Sequence, residues 1–289
     1  NNTCSNNDQF GIMLYLSDSN VFVESNTCSG NGDSGIFIHT SPNNTVVGNT
    51  CGNNSSKGIY LLNSSNTIVG NNTSENHSDR GIEVENSTDC TIENNICGNN
   101  DIGINLYSNS DNNTLENNTC SNNGTGINLS ESYGNDLTYN TCSNNDYGIT
   151  VDVSGTLDGV TLDSNTCENN YYNGIYIWCE NLLSNVTISN NTTYNNNYNN
   201  EWMGGAPSTN SYSGITVYSD SVENVTFDKN TCTYEGWNGI HLVSWTYMNN
   251  VTFTNNVCLY PYYIGIRVRC FDDMTNVNVS NNTCSDSLG

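Results

Sequence analysis

Short stretches in which apolar and polar residues alternate recur along the whole chain. One kind opens on Gly-Ile, as in Gly58-Ile59-Tyr60-Leu61 and Gly265-Ile266-Arg267-Val268. The dipeptide recurs at Gly11, Gly35, Gly58, Gly81, Gly103, Gly126, Gly148, Gly174, Gly214, Gly239 and Gly265, in steps of 22 to 26 residues except for one of 40. A second kind follows, as in Asn66-Thr67-Ile68-Val69 and Asn224-Val225-Thr226-Phe227, and a third is the Asn-Thr-Cys segment, as in Asn118-Thr119-Cys120. A period of two over three to five residues predicts short strands. Asn, Gly, Ser and Asp fill the gaps, and these residues suit the left-handed backbone of tight turns.

Three short strands in so few residues fall short of a propeller blade, and the Leu-x-x-Leu-x-Leu signature of leucine-rich repeats is absent. One coil of a parallel β-helix fits. Coils stacked about 4.8 Å apart make eleven repeats roughly 55 Å long. Each coil needs only a few inward residues, for example Ile59, Leu61, Ile68 and Cys51, and becomes stable by stacking on its neighbours. The expected fold is all-β: one solenoid domain over residues 1–289, about 11 coils, three strands per coil. Its ends are expected to be uncapped, because the chain starts and stops on the same Asn-Thr-Cys strand with no amphipathic helix at either end. The 40-residue step predicts an inserted loop at about 194–213 that carries Trp202.

The run Asn-Asn-Thr-Cys-Ser-Asn-Asn-x-x-Gly-Ile-x-Leu resembles the right-handed parallel β-helix repeat of pectin-lyase-like proteins. It is most similar to NosD-type, Asn-rich repeats of archaeal surface-layer and sheath proteins. The resemblance implies a right-handed helix. It does not choose among lyases, hydrolases, copper-maturation factors, phage spikes and surface coats.

Composition narrows the partners. Five Lys plus Arg against 29 Asp plus Glu give a net charge of −24. No basic cluster exists to displace counterions from a phosphate backbone, which excludes nucleic acid. No apolar run approaches the roughly 18 residues of a membrane span. The chain opens on Asn1-Asn2-Thr3-Cys4 without a leader pattern, which reads as a mature or excised chain. About twenty Asn-X-Ser/Thr sequons occur, and Asn43, Asn54, Asn86, Asn112, Asn185, Asn224 and Asn250 are candidate N-glycosylation sites. Acidity, few Lys and these sequons point to a secreted, extracellular protein at a cell surface, of archaeal type by the resemblance.

Thirteen cysteines divide into two sets. Cys4, Cys28, Cys51, Cys97, Cys120, Cys142, Cys167, Cys232, Cys258 and Cys284 share one register, where Ser74 and Thr193 fill the two remaining slots. Three readings stay open: a ladder of buried thiols acting as small apolar groups, disulfides between rungs whose parallel Cβ vectors suit the bond poorly, or a metal wire. Cys90, Cys179 and Cys270 break register. They are candidates for disulfides between subunits or buried turn residues.

Candidate assembly contacts are Tyr176, Trp178, Tyr218, Arg267 and Arg269, outward on Gly-Ile strands, together with Trp202, Asp272 and Asp273. Aromatics on a solvent face suit lateral packing or a sugar platform. Arg267 and Arg269 with Asp272 and Asp273 are the basic pair beside acids, which reads as an ion pair or docking contact. No catalytic set, cofactor motif or metal motif is marked by spacing, and Asp-rich turns leave weak calcium binding open. The leading expectation is a structural protein without catalysis. Its partner is itself, by coil stacking on open ends with lateral contacts and interchain disulfides, and cell-surface glycans are a further partner. The alternative is a carbohydrate-binding or polysaccharide-cleaving β-helix, and a periplasmic metal-delivery factor comes third.

Overall fold

The computed structural model describes residues 1–17, 20–197 and 212–287. It is an all-β parallel solenoid with three strands per coil and no helix among the described residues. Two compact units divide it, residues 1–141 and 142–289. In the first, the Gly-Ile strands pair in parallel, with Ile12 opposite Ile36, Ile36 opposite Ile59, and Ile59, Ile82, Ile104 and Ile127 continuing the column. The middle strands stack Val23, Val46, Val69, Ile92, Leu115 and Leu137. The third strands stack Cys28, Cys51, Ser74, Cys97 and Cys120. In the second unit the third column is Cys167, Thr193, Cys232, Cys258 and Cys284. There the first two strands of a coil fuse in places, as in the 14-residue strand Ile215–Asp228.

The abundance of asparagine has a structural cause. In most Asn-Asn pairs the first residue turns the chain and the second is buried. Asn71, Asn94, Asn117 and Asn255 have φ between 52° and 56°. This is the left-handed region that Asn tolerates. Asn72, Asn95, Asn118 and Asn256 follow them, each with at most 1% of its surface exposed. Their side chains form ladders. Asn72 N and Nδ2 both donate to Asn95 Oδ1 at 3.0 Å, and Asn95 Nδ2 also donates to Val69 O at 2.9 Å. Buried turns thereby keep their polar groups satisfied without water.

The repeat glycine is needed for close approach. A Cβ at Gly81 would lie 2.5 Å from Gly103 O and 3.1 Å from Cys97 Cβ. No side chain fits between the cysteine column and the next coil. One expectation of inwardness fails at Ile68, which is 43% exposed while Val69 is fully buried. The left-handed Asn66 sets the phase of the strand that follows, and the alternation starts one residue later than the apolar run suggests.

Candidate functional site

Lys57 and Arg80 each directly precede a repeat glycine, so neighbouring coils set them side by side. Lys57 Nζ lies 3.2 Å from Glu83 and 3.6 Å from Asp79. The Arg80 guanidinium pairs with Asp79 and brings Nε to 3.6 Å from Glu83. The Lys57 ammonium also sits 4.7 Å above the Tyr60 ring, and Tyr60 donates its hydroxyl proton to Glu85. Glu83 points outward from its strand yet is only 4% exposed. Asn105 Nδ2 donates to it at 3.4 Å, and Asn128 supports Asn105 at 2.8 Å. Phe37 stacks on Tyr60 at 4.8 Å, with Phe10 on Phe37 at 4.9 Å. Burial, and then the Glu85 carboxylate, push the Tyr60 phenol above its ordinary range. The result is a stack of rings, half-buried at Phe10 and Tyr60 and buried at Phe37, edged by a carboxylate, beside a partly exposed ion network in which both cations are engaged by acids.

Reading along the chain missed this cluster, since Lys57 and Arg80 stand 80 − 57 = 23 residues apart. The signal was their shared position in the repeat. The pair singled out instead, Arg267 and Arg269, behaves differently. The Arg269 guanidinium lies 3.9 Å from the Phe271 ring centre, and Arg267 stacks in register on His241. Asp272 and Asp273 are exposed. A ring rather than an aspartate is the neighbour of Arg269, because the strand carries its side chain along the face that Phe271 turns back onto.

Residues 142–289 carry exposed aromatic columns. Tyr194 meets Tyr234 edge-on at 5.9 Å, and Tyr234 stacks on Tyr260 at 4.7 Å, Trp237 on Tyr263 at 5.1 Å and Trp245 on Phe271 at 4.7 Å. Tyr234, Tyr263 and Phe271 are 46%, 50% and 47% exposed. A shallow depression of about 350 Å³ lies between Asn144, Asp146, Asn169, Tyr171 and Asn195. Of the expected contacts, Trp178 is exposed and Tyr176 half-buried. Tyr218 is not available, being 4% exposed and packed edge-on against His241 at 5.6 Å. Trp202 and most of the insertion lie outside the described residues.

The two sets of cysteines separate by burial. In the shared column, Cys28 through Cys258 are at most 1% exposed. Cys90 and Cys179 are also at 1%, so of the two readings open for them, interchain disulfides and buried residues, burial fits the second. Cys90 sits in a turn with its Sγ 3.5 Å from Thr88 O, and Cys179 donates to Gly155 O at 3.2 Å. Neither thiol reaches another chain in this fold. Cys270 is half-buried, with Sγ 3.3 Å from Asp273 O. The sequons separate in the same way. Asn43, Asn86, Asn112, Asn185, Asn224 and Asn250 are exposed residues with a left-handed backbone, Asn224 and Asn250 within long strands. Asn54 is a buried ladder residue that accepts from Asn31 at 2.9 Å and donates to Cys28 O at 3.1 Å, so its amide cannot carry a glycan in the folded chain. Among the described residues, no three His, Cys, Asp or Glu converge to hold a metal ion.

Stacked parallel coils, ladders of identical side chains and an apolar interior in each unit define a β-solenoid. The chain matches the right handed beta helix region over residues 1–97, 53–181 and 126–288, and it belongs to that family. Among solved structures it is similar to the family 28 exopolygalacturonase of Yersinia enterocolitica, at 14% identity and a TM-score of 0.58, over 89% of this chain and 48% of that one. It is similar to the Dettilon tailspike protein, at 12% identity and 0.52, over 89% of this chain and 61% of that one. The catalytic unit of the alpha-1,3-glucanase of Streptomyces thermodiastaticus gives 13% identity and 0.51, over 93% and 64%. At such identities the likeness is one of fold. The chain spans about half to two thirds of the length of these proteins. No curated protein matches the sequence.

Proposed function

We propose that the protein is an extracellular structural solenoid that associates with copies of itself at a cell surface. The observation that carries this reading is the set of exposed aromatic columns in residues 142–289. Stacked Tyr, Trp and Phe on a solvent face are the composition of a contact surface, and the rigid coils beneath fix their spacing. Coil-on-coil stacking between molecules would use the same ladders that join coils within the chain. Of the three cysteines outside the shared register, the half-buried Cys270 is the remaining candidate for an interchain disulfide. Weak calcium binding at exposed aspartates and attachment of glycans at the turn asparagines fit the same setting. Sedimentation and electron microscopy of the concentrated protein test the proposal. Lateral assemblies that dissolve in the Tyr234→Ser, Trp245→Ser, Tyr263→Ser triple variant support it, and solitary particles at every concentration refute it.

A second reading, binding or cleavage of a polysaccharide, is favoured by the Phe10–Phe37–Tyr60 stack beside Glu85. Sugars stack on such rings while carboxylates take their hydroxyls. Titration with neutral and acidic polysaccharides, following tyrosine fluorescence and the release of reducing ends, distinguishes the two.

A further inference from the structure

Glu235 occupies a slot that carboxamides hold in the coils before it. Asn145 N and Nδ2 donate to Asn170 Oδ1 at 3.0 and 3.2 Å, and Asn170 does the same to Asn196 at 3.1 and 2.9 Å. Asn196 then donates to Glu235, its N to Oε2 at 3.1 Å and its Nδ2 to Oε1 at 3.4 Å. Each carboxamide also gives a proton to the cysteine strand one coil back. Asn170 Nδ2 donates to Cys142 O at 3.1 Å, and Asn196 Nδ2 to Cys167 O at 3.0 Å. In those coils the slot holds a group that accepts from one side and donates to the other. A carboxylate only accepts, whereas a carboxylic acid does both.

The surroundings agree. Glu235 is 1% exposed. Thr193 Oγ1 lies beside it, buried. Gly214 packs so closely that a Cβ there would meet the Glu235 carboxyl carbon at 3.0 Å. Asn196 and the Thr233 backbone complete the shell. The titratable group facing it is the Cys167 thiol, and among the described residues no Lys or Arg pairs with it. Burial pushes the carboxyl up to about 8, against the opposing pull of the Thr193 and Asn196 hydrogen bonds.

We infer that Glu235 is carried as the carboxylic acid and makes this turn of the solenoid a proton-dependent joint, closed while the proton stays and loosened when it leaves. Its neighbours Tyr234 and Trp237 carry two of the exposed columns, so the joint also sets how those rings are held. That consequence, unlike the joint itself, rests on the association reading. The sign follows from linkage. An acid raised in the folded state contributes stability in full below its unfolded value of 4.5, and that stability is lost as pH rises through about 8.

The test uses the intact protein. Thermal midpoints and hydrogen exchange of the 231–240 segment, corrected for intrinsic exchange, are measured between about pH 5 and pH 9. The expected result is a falling midpoint and a loss of protection of about tenfold in that segment, with the 118–123 ladder unchanged. Glu235→Gln accepts and donates at every pH and should flatten the profile. The same pH profile in wild type and Glu235→Gln overturns the inference. Should that variant fail to fold, infrared spectroscopy of the wild type decides. A protonated-carboxyl stretch present near pH 6 and lost above about pH 9 is expected, and its absence near pH 6 overturns the inference.

Discussion

Replacing each member of one Asn-Asn pair by alanine should produce unequal losses, although the two residues are adjacent and chemically identical. Asn118 Oδ1 accepts from Asn95 N and Nδ2, both at 3.0 Å, and its Nδ2 donates to Ile92 O at 2.8 Å and Asn140 Oδ1 at 3.0 Å. In Asn118→Ala, Asn95 Nδ2 retains Val69 O and Asn140 Oδ1 retains the Asn118 N–H. The Asn95 N–H is left buried and unpaired, and the side-chain bonds to Ile92 O and Asn140 Oδ1 are lost. At about 1–3 kcal/mol for the orphaned group and about 1 kcal/mol for each of the other bonds, the loss is roughly 4 kcal/mol. Asn117 is exposed, with φ 52° and one surface hydrogen bond to Asn94 at 2.7 Å. Asn117→Ala removes the short polar side chain that lets asparagine tolerate the left-handed region, at a cost of about 1 kcal/mol. With roughly 2 °C of midpoint per kcal/mol in a chain of this size, the expected falls are about 8 °C and about 2 °C. Circular dichroism melts read both. Equal falls, or a larger one for Asn117→Ala, would refute the assignment of the buried ladder as the source of turn stability.

Other perturbations reach other parts of the molecule. Phe227 and Phe253 stack 4.5 Å apart, nearly parallel and fully buried, so Phe253→Ala should cost about 3–5 kcal/mol in chemical denaturation. Lys57→Met leaves Glu83 short of a partner and should destabilise by about 3 kcal/mol, while the Lys57→Met, Glu83→Gln pair recovers most of that loss. His77 replaces an asparagine in a buried ladder, and burial lowers it to about 4. The stability it contributes as the neutral ring is lost as pH falls from 6.5 toward 4, and His77→Asn should remove that part of the acid sensitivity in pH-dependent melts. An alkylating reagent under native conditions should label Cys270 well before Cys90 or Cys179, with mass spectrometry locating the adducts. The same method applied to glycosylated material should find sugar at exposed turn asparagines and none at Asn54.

Period, strand count and the cysteine register were legible along the chain because a solenoid writes each coil locally. The Gly-Ile spacing alone implies stacked coils, and the Asn-Thr-Cys register alone implies a column. The exceptions were visible but uninterpretable. Ser74 stands in a cysteine slot because His77, in an asparagine slot, reaches it at 3.2 Å. Thr193 stands in the other because Glu235 fills the space beside it. Both pairings join different columns; Ser74 and His77 lie within one turn of chain, whereas Thr193 and Glu235 meet only across successive coils.

Linear order thus determined which strands form and that like residues stack on like, since a short repeat with one apolar face per strand has few other ways to bury it. Tertiary packing decided what each polar residue does. It divided identical asparagines into exposed turn formers and buried ladder rungs, hid Cys90, Cys179 and Tyr218, and drew Lys57 and Arg80 onto Glu83. The physical reason is that burial and pairing depend on the coil above and the coil below, some two dozen residues away along the chain but only about 5 Å through space.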